Sequence, residues 1–329
     1  MKKVLYLECK TGAAGDMLMG ALYGLLTEEQ KALFLEKINA ISEEVRVIPQ
    51  EECKQGIGGI HMKVEINGEE EGAEHAHEHH HEHEEMHDHE HSHCAEHTHE
   101  EHNHTHEDSH AHTHEHTHED GHVHTHEHQH EDGHVHTHEH IHEDGHSHSH
   151  EHAHHHGHHA HTSVAAILEK ISALDLSDTV KKHAEGIYRA IAAAESTVHR
   201  TDIEQIHFHE VGSIDALIDV VGSSLAIEML GVDEIQASPV CVGNGTVRCA
   251  HGVLPVPAPA TAEIIKGMPV YCSSFDGELL TPTGAAILKY FVETFTRQMN
   301  MEIEEIGYGF GTKEFEQLSC VRAFLGYRS

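Results

Sequence analysis

Apolar side chains fall into two blocks, residues 1–66 and 162–329, and the stretch between them carries almost none. In the first block Val4 to Glu8 reads as a short apolar strand. The small-residue loop Cys9-Lys10-Thr11-Gly12-Ala13-Ala14-Gly15-Asp16 follows it, then a helix from Met17 to Leu26. Thr27-Glu28-Glu29-Gln30 has the spacing of a capping box and predicts a second helix to about Ala40. Strands are expected near Val45 to Pro49 and Ile60 to Ile66, with Gly56, Gly58 and Gly59 marking the turn between them.

The second block opens with a helix from Ser163 to about Ala173, and Ser177 caps a long one from Asp178 to about His199. Ile187, Ile191 and Ala194 recur there at helical spacing and form a core stripe, while His183 and His199 read as surface residues. Ile206 to Ser213 reads as extended, leading to a helix over Ile214 to Leu230 with Ser213 as its cap. A strand at Ile235 to Ser238 precedes a segment with Pro255, Pro257 and Pro259 at alternate positions, which suit neither a helix interior nor a central strand. Helices are then expected from Ala260 to Lys266 and, capped by Thr281 with Pro282 at its first position, to about Glu293. A last strand lies near Val321 to Leu325. Strands and helices in this alternation predict an α/β class, with a mixed α+β arrangement as the alternative. The two blocks (1–68 and 162–329) make one compact domain interrupted by residues 69–161.

Composition explains the interruption. Glu69 to His161 holds 40 of the 46 histidines, 25 of the 57 acidic residues and no Lys or Arg. HTHEHTHEDGHV (His112 to Val123) recurs as HTHEHQHEDGHV and HTHEHIHEDGHS, a 12-residue repeat with no apolar face to stack. So few aliphatic side chains do not offset the entropy of ordering, and the tract is expected to be a disordered, exposed insertion. Neutral imidazole ligates Zn, Cu, Ni and Co, and alternating His-x-His offers overlapping sites. His112, His114, His116, His118, His124, His126, His136 and His138 are the expected metal ligands.

The net charge of −37 is largely the tract's; outside it 32 acidic residues face 20 basic ones with no basic stripe, which excludes a nucleic-acid binder. Seven scattered cysteines without a Cys-x-x-Cys pair argue against a disulfide framework and for a reducing compartment. The N-terminus does not read as a signal peptide, and no stretch approaches the roughly 20 apolar residues of a membrane helix. A cytoplasmic protein without membrane partners is the expectation.

Candidate chemistry lies in the folded blocks. The loop through Gly12 and Gly15 has the strand–glycine–helix arrangement that aims N–H groups at an anion, but it is neither G-x-G-x-x-G nor a P-loop. Asp16 reads either as the helix N-cap or as a contact to metal or nucleotide. In Ile206-His207-Phe208-His209-Glu210, extended backbone puts His207 and His209 on one face. Asp215 and Asp219 share a face of the next helix, so two imidazoles and two carboxylates form a candidate metal or acid–base site. Arg248 and His251 beside the Gly243-Asn244-Gly245 turn, and Thr283 at a helix start, suit an anionic ligand, with structural connectors as the bland alternative.

Five motifs together resemble the LarC family, the nickel-insertion proteins of nickel-pincer cofactor assembly. They are TGAAGDMLMG (Thr11 to Gly20), HFHEVGSIDALIDVVG (His207 to Gly222), GNGTVRCAHGVLPVPAPAT (Gly243 to Thr261), ELLTPTGA (Glu278 to Ala285) and GYGFGTK (Gly307 to Lys313). A histidine-rich insertion is also a habit of that family, whereas Lys10 and Thr11 replace an aromatic and a serine found in many members. The resemblance implies insertion of Ni²⁺ into pyridinium-3,5-bisthiocarboxylic acid mononucleotide, forming two sulfur–nickel bonds and one carbon–nickel bond. It implies CTP with Mn²⁺ or Mg²⁺, and a product passed to an apo-racemase of the lactate racemase type. It implies a metal chelatase, a nickel cyclometallase of the lyase class. It further implies a C-terminal CTP-associated region, expected to be absent from this chain and supplied in cis by a frameshift or in trans. His207, His209, Asp215 and Asp219 are the catalytic candidates, and Gly12, Gly15, Asp16, Arg248, His251 and Thr283 the substrate- or nucleotide-binding ones. The alternative function is a nickel store or metallochaperone without chemistry of its own.

Overall fold

In the computed structural model, strand β1 (Lys2–Glu8) runs through the middle of the main sheet, and Val4, Leu5, Tyr6 and Leu7 are all buried. An uninterrupted apolar run of this kind suits a strand covered on both faces. The other strands are β2 (Val45–Lys54), β3 (Ile57–Ile66), β4 (Glu234–Ala237), β5 (Thr294–Phe295), β6 (Glu302–Phe310) and β7 (Cys320–Arg328). Their order is β5-β4-β1-β7-β6-β3-β2, with Glu69–Glu70 added on β3. β1 is parallel to β4 and antiparallel to β7, and β6 is parallel to β3, so the sheet is mixed. The structure describes residues 1–67, 69–70, 112–117, 123–128, 135–141, 147–153, 162–208, 210–249, 251–313, 315 and 317–328.

Seven helices are found among the described residues: α1 (Gly15–Gly24), α2 (Glu28–Asn39), α3 (Val164–Ala173), α4 (Asp178–His199), α5 (Ile214–Leu230), α6 (Pro259–Ile264) and α7 (Pro282–Phe291). Their starts follow the sequence closely. Thr27 and Gln30 close the capping box of α2, and Ser163, Ser177, Ser213 and Thr281 each accept the expected N–H bond at the start of their helix. α1 lies on β6 and β3, α5 packs on α1, and α4 packs on α5, α6 and α7. Ile187, Ile191 and Ala194 of α4 are buried as their spacing predicts. His183 is half-buried against Tyr290 and Phe291 and has its Nδ1 3.2 Å from the Tyr290 hydroxyl, a packing role instead of a surface one.

Two glycine readings change. The β2–β3 turn is only Gln55-Gly56, both at positive φ, and β3 already begins at Ile57. Gly59 is a strand residue because a side chain there would fall 2.8 Å from the Phe310 ring. The glycine-rich end of β6 is likewise strand: a Cβ on Gly307 or Gly309 would sit 2.1 Å from the Ala21 carbonyl or 1.9 Å from that of Met17. These glycines let α1 lie directly on the sheet.

The chain divides into two units, Met1–His75 with His159–Ser329, and Ala76–His158. The second holds most of the histidine tract. Four strands are described in it, His112–Thr117, Val123–His128, Val135–Ile141 and Ser147–Ala153, paired antiparallel in sequence order. His114 pairs with His126, His126 with His138, and His138 with His150. The physical basis is in the repeat itself: alternation has the period of a strand, and each repeat carries an Asp-Gly, the strongest short hairpin signal.

Candidate functional site

The loop that leaves β1 is tied to four other parts of the folded unit. The Cys9 amide donates to the Ser238 hydroxyl (2.9 Å), and the Cys241 amide donates to the Cys9 carbonyl (3.1 Å). The Ala13 amide donates to the Leu279 carbonyl (2.9 Å), and the Thr281 amide to the Ala13 carbonyl (3.1 Å). Thr11 donates its hydroxyl to the Cys320 carbonyl (2.9 Å) and accepts the Cys320 amide (3.1 Å). Gly12 has φ of 96°, and a Cβ there would fall 2.0 Å from the Leu279 carbonyl oxygen. Gly12 and Ala13 therefore spend their N–H groups inside the protein, and the expected anion cradle is not formed by them. Burial, aided by the charge of Glu8, pushes the Cys9 thiol well up, so it stays protonated and is a poor metal ligand.

Two carboxylates meet the first turn of α1. A Cβ on Gly15 would lie 2.2 Å from Oδ2 of Asp219, so that carboxylate rests on the glycine backbone, with Asp219 only 6% exposed. Asp16 is not the N-cap: Ala14 holds that position and makes no side-chain bond. Instead Oδ1 of Asp16 accepts the Met17 amide (2.7 Å) and Oδ2 accepts the Thr312 amide (3.0 Å). Burial raises the pKa of Asp16, outweighing the hydrogen bonds from Thr312 and Met17 and the charge of His61 that pull it down. A carboxyl so placed exchanges its proton nearer neutrality than an exposed one, which is what a general base requires. With its own acid in the first turn, this helix start favours cations and proton transfer over an external anion.

Asp215 and Asp219 lie on α5 one turn apart, as the spacing requires. Both face the buried Tyr188 of α4, whose hydroxyl is pushed up by burial first and then by the charges of Asp219 and Asp215. That hydroxyl finds no hydrogen-bond partner among the described residues. His207 is exposed on the short strand His207–Phe208, which pairs with Thr162–Ser163, while Phe208 is buried. The histidine motif is thus bonded to the residues that follow the tract in sequence. His209 lies outside the described residues, as does His118 of the tract, whose other expected ligands fall on the strands given above.

The remaining expected residues divide. Thr283 is buried in the first turn of α7, close to the loop: a Cβ on Gly284 would lie 2.3 Å from the Ala13 carbonyl. Arg248 and His251 are exposed on the hairpin Thr246–Cys249 and Gly252–Pro255. His251 stacks at 5.0 Å on His199, itself 3.4 Å from Glu195. Among the described residues no three His, Cys, Asp or Glu side chains are grouped to hold a metal ion, and no helix is long and apolar enough to cross a membrane. The six described cysteines are free.

Glu52, His61 and Tyr188 escaped the sequence reading, and Thr312 entered it only as part of the motif Gly307 to Lys313. The available signal was His61, one of only six histidines outside the tract, set between Ile60 and Met62 in an apolar strand.

Four of the five motifs meet at the loop after β1, and the fifth pairs with one of those four. Thr11 to Gly20 contains it, Asp219 rests on Gly15, Gly243 pairs with Glu278, Leu279 and Thr281 bond to Ala13, and Thr312 bonds to Asp16. The pattern of the family described as nickel insertion protein matches residues 5–329. A putative nickel insertion protein of Dictyoglomus thermophilum is 43% identical over 168 residues, 51% of this chain and 44% of that protein. The pyridinium-3,5-bisthiocarboxylic acid mononucleotide nickel insertion protein of Clostridium kluyveri is 48% identical over 160 residues, 48% of this chain and 40% of its own length. That of Geobacillus kaustophilus is 43% identical over 169 residues, 51% and 41% of the two chains. The chain thus spans less than half the length of these curated relatives. No solved structure matches it. A family pattern running over nearly the whole chain makes this chain a member of the nickel insertion protein family.

Proposed function

We propose that this chain handles nickel and takes part in its insertion into pyridinium-3,5-bisthiocarboxylic acid mononucleotide, the substrate in the names of two of its relatives. The observation that carries the reading is the meeting of four motif segments at the start of α1, where Asp16 and Asp219 come together and Asp16 is held at a raised pKa. The substrate's thiocarboxylates are soft donors suited to nickel. A carbon–nickel bond also requires that the ring C–H break, its electron pair passing to the metal bond and its proton to a base. Asp16 serves as that base, and Asp219, with Asp215, His207 and His209, completes the catalytic set. Arg248 and His251 receive phosphate of the substrate or of CTP, with Mn²⁺ or Mg²⁺ accompanying the nucleotide, and Thr283 supports the loop. The product goes to an apo-racemase, and a C-terminal region of the family contributes the CTP-dependent part of this lyase-class reaction.

Incubating the chain with substrate, Ni²⁺ and CTP, with and without the C-terminal region of a longer family member, tests this. Product absorbance is expected with that region present, falling about 100-fold or more in Asp16→Asn and Asp219→Asn. Normal turnover by both variants would overturn the site. A second reading, a nickel store, is favoured by the 40 histidines of the tract and predicts tight nickel binding with no product under any of these conditions.

A further inference from the structure

We infer that Thr312, His61 and Glu52 form a proton relay serving Asp16, an inference that rests on reading Asp16 as the base. The Thr312 hydroxyl stands 3.4 Å from Oδ2 of Asp16 and 3.4 Å from Nε2 of His61, so one O–H bridges a carboxyl and an imidazole. On its other side His61 has Nδ1 3.1 Å from Oε1 of Glu52. A carboxylate there holds Nδ1 protonated and leaves Nε2 as the acceptor facing Thr312. The Thr312 amide independently fixes Asp16 (3.0 Å), and Lys54 fixes the same segment by donating to the Gly311 carbonyl (3.1 Å).

His61 is 6% exposed, on a strand whose partners at that point are Gln50 of β2 and Phe310 of β6. The charged groups around it are Glu52 and Lys54 from β2, 3.4 Å apart, and Asp16 from α1; the segment after β6 brings the Thr312 hydroxyl, with Lys313 next in the chain. A buried imidazole between two carboxyls contributes little to packing that Gln would not, but it can accept a proton. A proton received by Asp16 passes to the Thr312 oxygen as the hydroxyl proton moves to Nε2 of His61. The resulting imidazolium is stabilised by Glu52 and later loses its proton to solvent, returning the relay to its start. Atoms and charge balance without any co-reactant. His61 and Thr312 touch no reacting atom and are positioning residues for Asp16.

The test uses the full chain, supplied with the C-terminal region for turnover measurements, and two variants, His61→Gln and Thr312→Val. The Asp16 carboxyl is followed by carbon-13 NMR against pH, and insertion by kcat and KM against pH. Asp16 is expected to titrate at higher pH in His61→Gln, because the imidazole that takes up charge beside it is lost, and kcat in that variant to fall about 10-fold with KM unchanged. Thr312→Val, which keeps the backbone bond to Asp16, is expected to lower kcat about 10-fold with KM unchanged. An Asp16 titration identical in wild type and His61→Gln overturns the coupling whatever the activity. Coupling with normal kcat in both variants overturns the relay. A wild-type protein that shows the coupling but forms no product refutes the reading of Asp16 as base, and the relay that serves it falls with that reading; the carboxyl titration tells this apart from a failure of the coupling.

Discussion

Histidine occurs here in two regions that use it in opposite ways. Between Glu69 and His161 there are 40, alternating with small polar and acidic residues and repeated every 12 positions. In the folded blocks there are six, and one of them, His61, is buried between Glu52 and the segment that holds Asp16. In the tract, no single imidazole is distinguishable from its neighbours in sequence, so the metal capacity we propose for it follows from number and changes with each added repeat. In the folded unit a single imidazole has fixed partners at fixed distances, and its chemistry follows from position. The function proposed above uses both: a high local concentration of exchangeable ligands, and a place where one proton is removed from one carbon.

The largest effect expected from separating the two regions is on nickel stoichiometry. Deleting residues 69–161 should remove most of the nickel bound per chain in equilibrium dialysis, while insertion at saturating nickel continues at the intact rate. Loss of insertion at saturating nickel would show that the tract is part of the catalytic apparatus. The binding that the deletion removes should itself weaken steeply between roughly pH 7 and 5.5, as imidazoles protonate.

A smaller effect separates the glycines of the folded unit. Gly309→Ala drives a methyl group to 1.9 Å from the Met17 carbonyl, and α1 must lift from β6. Denaturant unfolding should register about 3 kcal/mol of destabilisation, the upper part of the range for overpacking. Gly58→Ala meets nothing within 4 Å and should be neutral or slightly stabilising. Equal costs at the two positions would mean that α1 is not seated on the strand as described.

The smallest effect concerns pH. Asp16 has its folded pKa raised, so its contribution to stability is fully present below the ordinary aspartate value and is lost as pH rises through the raised one. Wild type should therefore gain on Asp16→Asn as pH falls through that window, by roughly 1–2 °C in thermal midpoint. A difference independent of pH would show that the Asp16 carboxyl is not held in a desolvating site.

Much of the architecture was legible in the chain because it depends on neighbours in sequence. The caps at Thr27, Ser177, Ser213 and Thr281 satisfy N–H groups three residues on, and each was readable from a single residue and the pattern after it. β6 was not legible: its first half, Glu302 to Ile306, is acidic and exposed, and its second half is alternate glycine. That composition resembles a loop unless one knows that a helix will press on it. The glycine loop after β1 misled for the same reason, since Gly12 and Gly15 are required by Leu279 and Asp219, more than 200 residues away.

By itself, then, the sequence determined the α/β class, the helix starts, the histidine-rich and strand-periodic character of the tract and, through five motifs, the family. Those features arise from local hydrogen bonding, periodicity and composition, which chain order displays directly. Only the tertiary structure decided which acids lie together, that Asp16 is bound by Thr312 and not acting as a cap, and that His61 comes within reach of the same Thr312. Burial and proximity between distant segments set the proton affinity of a carboxyl, and both come into being only when the sheet brings β1, β3 and β6 together.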